Sequence, residues 1–187
     1  MTATKENPEI ITLSTLHSNG LKEEHLFRHL IMRGVHVNYF VHHEIMDPTS
    51  YVNESITNKV EYHPVVIPAK YFVDQSISLC DDNKWFIPED CIYKQAEDLG
   101  LITPPEELAS LIATDLPFNY SGLLDLKDLV IMSEQKDGKD QMTVSLKHIP
   151  SQNNPKTHLD TVWKNTFQEV GHIHVWKSGL VFIKKNK

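Results

Sequence analysis

Closely spaced glycines are absent from this chain of 187 residues. It has seven glycines, and no two of them lie within seven residues of each other. Loops that cradle phosphate need neighbouring glycines, because their backbone amides must approach an anion without interference from Cβ atoms. The spacing therefore argues against dinucleotide-binding, P-loop and kinase-type glycine-rich sites. It also leaves no GxSxG nucleophile elbow.

Cysteine and long apolar runs are also scarce. Cys80 and Cys91 are the only cysteines, and their spacing fits neither a metal knuckle nor a CxxC redox pair, so we expect two inert thiols in a reduced compartment. No stretch approaches the roughly 20 apolar residues that a membrane span needs, and no signal peptide is recognisable. We therefore expect a cytoplasmic protein without membrane contacts. Secretion by a route that needs no signal peptide stays open.

Positive charge is in deficit, with 18 Lys and Arg against 25 Asp and Glu and a formal net charge of −7. Nonspecific nucleic-acid binding depends on clustered Lys and Arg that release counterions. Only two short stretches, 136–139 and 184–187, are locally basic. We therefore expect no nucleic-acid partner. An acidic surface is better suited to docking onto a basic partner protein.

The composition that remains, with 40% hydrophobic residues, 7 Phe, 6 Tyr and 3 Trp, predicts a globular chain. Residues 1–9 are polar and predict a flexible lead-in. Residues 10–187 are expected to form a single domain, in which the helical segment 88–126 could be a subdomain. The predicted fold class is α+β, with a mainly antiparallel sheet built from N-terminal and C-terminal strands and hairpins. Two or three helices are inserted around 88–126, and we expect helices on one side of the sheet.

Hydrophobic periodicity predicts a helix over 21–33 that ends at Gly34, and alternation over 35–45 predicts a half-buried strand. Region 59–79 predicts two short strands, and its prolines indicate sheet edges or bends because proline cannot donate to a ladder. Two hairpins are expected in the last third of the chain. One has an Asp-Gly turn at 137–138, and the closing one turns around 178–179.

Histidine, in contrast, is abundant, with 11 in the chain. Its ring binds metal ions and exchanges protons near neutral pH. Two histidines and a glutamate share the polar side of the predicted strand 35–45, and an HxH pair lies on one face of the closing hairpin. If these strands meet, they could bind a divalent metal such as Zn, Fe, Ni or Mn; otherwise they form a solvated face. The predicted ligands are His36, His42, Glu44, His172 and His174.

Two other patterns provide weaker indications of metal chemistry. His25 and His29 have the ligand spacing of HExxH metalloproteases, but the glutamate that would act as the base is absent. A second set loosely resembles the PD-(D/E)xK pattern, in which two carboxylates hold Mg²⁺ and a lysine steadies the attacking water. The residues of that set are Asp115 or Asp125, Glu134 and Lys136.

Tryptophan dominates many protein interfaces, so Trp85, Trp163 and Trp176 are candidate interface anchors, with a core position as the alternative. Together these observations favour a non-enzymatic binding protein, such as an inhibitor, immunity protein, adaptor or assembly component, with a protein partner or a second copy. The alternative is a metal-dependent hydrolase or nuclease. Protonation of the histidines between about pH 7 and 5.5 would nearly cancel the net charge, which predicts association as the pH falls.

Overall fold

The computed structural model describes residues 8–18, 23–38, 60–72, 89–105, 108–115, 126, 128–133, 142–149, 156–163 and 178–185. The helices in these ranges are α1 (Glu23–Met32), α2 (Glu89–Asp98) and α3 (Leu108–Asp115), and a 3₁₀ turn covers Ala69–Phe72. The strands are β1 (Ile11–Thr12), β2 (Leu16–His17), β3 (His36–Val37), β4 (Glu61–Tyr62), β5 (Pro64–Pro68), β6 (Leu101–Ile102), β7 (Asp128–Ile131), β8 (Met142–Ile149), β9 (Lys156–Trp163) and β10 (Ser178–Lys184).

Eight of these strands form one sheet in the order β1-β5-β10-β7-β8-β9-β3, with β6 paired to β10 beside this path. Strands β2 and β4 form a separate antiparallel ribbon. Within the described sheet, the pairs β7–β10 and β3–β9 are parallel, and the other pairs are antiparallel. The predicted α+β class, with a mainly antiparallel sheet and two helices inside 88–126, is therefore confirmed.

The central strands β5, β7 and β10 are buried on both faces. In β7, Leu129 and Ile131 pack with residues of α1 and α3, whereas Val130 packs with residues of α2. The residues of β5 and β10 alternate between the same two clusters. Helices therefore cover both faces of the sheet, and the expectation of helices on one side only is wrong. Continuous apolar runs are typical of strands that are covered on both faces.

Helix α1 is held by one apolar stripe and ends as the sequence predicts. Leu26 and Leu30 are buried one turn apart and face the cluster shared with α3. Gly34 follows the helix with a φ of 71°, a conformation that glycine adopts without steric conflict. The Val35 amide donates a hydrogen bond back to the Leu30 carbonyl. The predicted helix over 21–33 with its stop at Gly34 is therefore confirmed.

Region 59–79 contains the two short strands that the sequence predicts, but its place in the sheet is different. Strand β5 lies between β1 and β10, so the expectation of a sheet edge or bend is wrong. Pro64 and Pro68 are the first and last residues of β5, and the three residues between them are apolar and buried. Proline has no backbone N–H to donate to a ladder, so it fits at the two ends of a central strand, where the residues between the prolines keep their N–H groups.

The first predicted hairpin is confirmed, because β7 and β8 pair in antiparallel fashion; its turn at 137–138 lies outside the described residues. The closing hairpin is wrong, because Ser178 and Gly179 belong to β10, which pairs with β5, β6 and β7. A Cβ on Gly179 would lie 2.5 Å from Cγ1 of Val66 and 2.8 Å from Cδ1 of Leu126. This glycine therefore allows close packing against β5. In the sequence alone, a glycine with this role looks the same as a glycine in a turn.

Strand β9 is not predicted by the periodicity described above, although it pairs with β8 along its whole length. The predicted strand 35–45 is present at His36–Val37, and 39–45 lies outside the described residues, as does most of the lead-in 1–9. The single-domain organisation stays a prediction. None of the helices in the described ranges is long and apolar enough to span a bilayer.

Candidate functional site

Of the five predicted metal ligands, the structure describes His36, which begins β3 and is exposed. The other four, His42, Glu44, His172 and His174, lie outside the described residues, so their convergence stays a prediction. Among the side chains that the structure describes, no group of three or more His, Cys, Asp or Glu could hold a metal ion.

The other predicted residues are also described only in part. Trp163 ends β9, where its backbone lies opposite Met142, and Trp85 and Trp176 lie outside the described residues. Asp115 ends α3, whereas the further members of the nuclease-like pattern are not described. The interface role of the tryptophans and the nuclease pattern therefore both stay predictions.

A line of polar residues, which we call the polar row, crosses five neighbouring strands of the sheet. It follows the ladder register from β10 through β7, β8 and β9 to β3, with each residue directly opposite the next. Residues that pair in this way share one face of a sheet. The polar row consists of Ser178, Asp128, Lys147, His158 and His36.

The polar row changes character from the centre of the sheet to its edge. Ser178 and Asp128 are buried, with Asp128 only 5% exposed, whereas His36 is exposed. Leu129 and Leu146, which follow Asp128 and precede Lys147, belong to the cluster under α1 and α3. Because successive strand residues alternate between faces, the polar row lies on the opposite face. Titratable groups thus extend from a buried carboxylate to an exposed imidazole.

A second polar group lies where the β2–β4 ribbon joins β5. Nε2 of His63 is 3.2 Å from Oε1 of Glu61, and Nδ1 of the same ring is 3.3 Å from Oγ1 of Thr15. Nδ1 of His17 lies 4.0 Å from Oε2 of Glu61. A neutral His63 that donates from Nε2 to the carboxylate and accepts the Thr15 hydroxyl proton at Nδ1 satisfies both of its close contacts.

The order hydroxyl, imidazole and carboxylate is also the order of groups in a relay that activates a nucleophile. Here the side chains of His17, Glu61 and His63 are 60%, 53% and 38% exposed. Ion pairs that are open to water contribute little to stability. We therefore interpret this group as a solvated contact that positions the ribbon. The Glu-x-His spacing at 61–63 was a sequence signal for it, because residues two apart share a strand face.

The outward side of α1 combines cationic and large apolar side chains. Positions 25, 28, 29 and 32 form one stripe, because residues three and four apart lie on the same helix face, and all four are exposed. Ile31 and Met32 are 53% and 77% exposed, more than any other large apolar residue in the described part of the chain. We call this group the α1 surface; it consists of His25, Arg28, His29, Ile31, Met32 and Arg33.

Sequence reasoning identifies α1 but not this surface. The sequence places its histidines opposite the buried leucines, which is the ordinary arrangement of an amphipathic helix. The same pattern places Ile31 with Leu26 and Leu30 on the apolar face, and the 53% exposure of Ile31 corrects that expectation. Met32, in contrast, shares the exposed stripe of the histidines. The chain matches no protein-family model, no curated protein and no solved structure.

Proposed function

We propose that this protein is a non-enzymatic binding protein that docks an acidic segment of a partner protein onto the α1 surface. The supporting observation is that Arg28, in the middle of α1, and Arg33, directly after it, are exposed near Ile31 and Met32 in the sequence of the helix. Met and Arg are enriched in protein interfaces, whose apolar contacts supply affinity while charges supply orientation and encounter rate. Exposed apolar residues that are rimmed by polar ones mark such interaction sites.

The expected charge of the partner segment follows from the local charge of the α1 surface rather than from the net charge of the chain. The whole chain carries −7, which by itself favours a basic partner. At physiological ionic strength, however, charges are screened beyond about 8 Å, so a docked segment senses the side chains beside it. Those side chains on the α1 surface are two arginines and two histidines. An acidic segment with one or two apolar residues is therefore the matching ligand.

Photo-crosslinking tests the proposal directly. A photoreactive amino acid would replace Met32, the full chain would be irradiated in extract of its native cells, and adducts would be identified by mass spectrometry. The expected adduct maps to an acidic segment of a partner, and it disappears in the double variant Arg28→Glu/Arg33→Glu. The matched control is Lys70→Glu/Lys94→Glu, which makes the same charge change at two exposed positions outside α1.

The identified segment, made as a labelled peptide, then allows affinity to be measured by fluorescence anisotropy. We expect the α1 double variant to weaken binding at least about tenfold and the control double variant to weaken it less than about threefold. Met32→Ser should weaken binding without altering its salt dependence. Adducts on a basic segment or on nucleic acid, or equal losses in both double variants, would contradict the proposal. Adducts between two copies would identify the partner as this chain itself.

The metal-dependent hydrolase or nuclease stays the alternative. Its predicted ligands depend on the meeting of residues 36–44 with 172–174, and of these the structure describes only 36–38. Elemental analysis of protein purified without a histidine tag would distinguish the two functions. A stoichiometric metal that is required for hydrolysis of a substrate would favour the enzyme.

A further inference from the structure

We infer that Met32 is a selective oxidation site, and that hydrogen peroxide weakens docking at the α1 surface by converting this side chain to the sulfoxide. The selectivity of the oxidation is independent of docking, whereas the effect on docking rests on the proposed function. The observation that carries the inference is a contrast in exposure between two methionines. Met32 is 77% exposed and Met132 is 1% exposed.

The two methionines have opposite surroundings. Met32 is the last residue of α1 and belongs to its exposed stripe. Met132 follows β7 and lies in the buried cluster that contains Ile92 and Phe182. Its backbone amide donates a hydrogen bond to the Val181 carbonyl. Oxidation requires contact between the oxidant and the sulfur atom, so it follows exposure, and Met132 becomes reachable only when the chain opens.

The reaction transfers one oxygen atom from hydrogen peroxide to the thioether sulfur. A sulfur lone pair attacks one peroxide oxygen, so that a sulfur–oxygen bond forms and the oxygen–oxygen bond breaks. The sulfur is oxidised. The second oxygen is reduced and leaves as water after it takes up the proton that the transferred oxygen carried. The product is a polar and uncharged side chain in place of an apolar one.

This change removes one of the two kinds of contact that the α1 surface offers. Met32 and Ile31 supply its large apolar side chains, whereas Arg28 and Arg33 supply charge. A sulfoxide at position 32 weakens the apolar contact and leaves the charge unchanged. The buried core is untouched, so stability should be retained. Methionine sulfoxide reductases reverse the reaction, which makes the site a reversible switch.

The first test measures selectivity and needs no partner. The full chain would be treated with hydrogen peroxide, and the oxidation of each methionine would be followed over time by peptide mass spectrometry. We expect Met32 to react at least about tenfold faster than Met132 in the folded chain. In urea the two rates should become similar. Similar rates in the folded chain, or a difference that persists in urea, would overturn the selectivity.

The second test measures docking, with the labelled peptide that photo-crosslinking identifies as the probe. Oxidation should weaken its binding at least about threefold by fluorescence anisotropy, and the reductases should restore it. The salt dependence of binding should stay the same, because no charge changes. Met32→Gln, which is also polar and uncharged, should give the affinity of the oxidised chain without peroxide.

Met32→Leu is the matched control, because it keeps an apolar side chain of similar size and has no sulfur. This variant should bind as tightly as the wild type and should keep its affinity after peroxide treatment. If peroxide weakens its binding as much as that of the wild type, another side chain is responsible and the inference is overturned. Circular dichroism establishes that each variant is folded.

Failure of the switch and failure of the proposed function give different results. If Met32 is oxidised selectively and the affinity does not change, the switch is overturned while docking at the α1 surface is retained. If no acidic segment is crosslinked, the proposed function fails and the switch fails with it. The two oxidation rates decide the selectivity of the site in either case.

Discussion

The centre and the outer part of the same sheet follow different sequence rules. Strands β5, β7 and β10 contain continuous apolar runs, and Val65, Val66 and Ile67 of β5 are all completely buried. Strands β8 and β9 instead contain polar residues throughout, mixed with apolar ones. Helices cover both faces of the centre, which leaves no room there for hydration. The buried centre therefore contributes most to stability, while the outer strands tolerate polar residues.

The polar row connects these two regions. It begins among the buried residues of β10 and β7 and ends at the exposed edge strand β3. A buried carboxylate needs a compensating charge, whereas the exposed His36 does not. Effects of charge on stability are therefore expected at the inner end of the row.

The largest expected effect is a loss of unfolding free energy, which we compare for an Ile→Ala substitution in the buried centre and at an exposed position. Ile131→Ala in the buried centre should lower the free energy of unfolding by about 2–5 kcal/mol, because it removes buried methyl groups and leaves a cavity. Ile102→Ala in the short strand β6, where the side chain is 41% exposed, should lower it by less than about 1 kcal/mol. Urea unfolding monitored by circular dichroism measures both. Equal losses would mean that the side chain of Ile102 contributes as much packing as one in the buried centre.

The next effect tests how closely the centre is packed. Gly179→Ala should destabilise the chain by about 1–3 kcal/mol, because the new Cβ would meet the Val66 side chain at 2.5 Å. The double variant Gly179→Ala/Val66→Ala should recover part of that loss relative to the sum of the two single variants. Strict additivity in thermal unfolding would show that the two side chains do not compete for the same space.

A third, smaller effect concerns the inner end of the polar row. Asp128 is buried, and the register places Lys147 directly opposite it. A double-mutant cycle of Asp128→Ala and Lys147→Ala should give a coupling free energy of about 1 kcal/mol. The control cycle combines Asp128→Ala with Lys156→Ala, which lies farther along the same face opposite Ile149. The control cycle should show no coupling. A coupling free energy equal to that of the first cycle would refute a specific interaction between Asp128 and Lys147.

The smallest expected effect is a pH-dependent association that depends on surface charge and not on packing of the core. Among the histidines whose side chains the structure describes, His17, His25, His29 and His36 are exposed and His63 is half-buried. As the pH falls from about 7.5 to 6, the net charge of −7 moves toward zero and self-repulsion weakens. Light scattering should therefore show more association, with little change in unfolding temperature. Scattering that stays constant over this interval would contradict the prediction.

The local patterns of the chain predicted much of the fold. The α1 helix and its glycine stop, the two helices in 88–126 and the antiparallel pairing of β7 with β8 follow from periodicity and turn chemistry. The errors share one cause. Glycine and proline each occur in several kinds of structure. Gly179 lies in a closely packed strand and not in a turn, and Pro64 begins a central strand and not an edge strand. Strand β9 was missed because its sequence, KTHLDTVW, has no regular alternation of apolar and polar residues.

The fold class follows from local patterns in the chain, because burying apolar stripes of period two and period 3.6 leaves few arrangements of strands and helices. The abundance of histidine is likewise a property of the sequence. The neighbours of each residue depend on the assembled sheet, since the pairing of His36 with His158 joins strands that are 122 positions apart. Packing also leaves Ile31 exposed while Leu30 is buried. Contacts between distant residues depend on the whole assembled core, which no local pattern records.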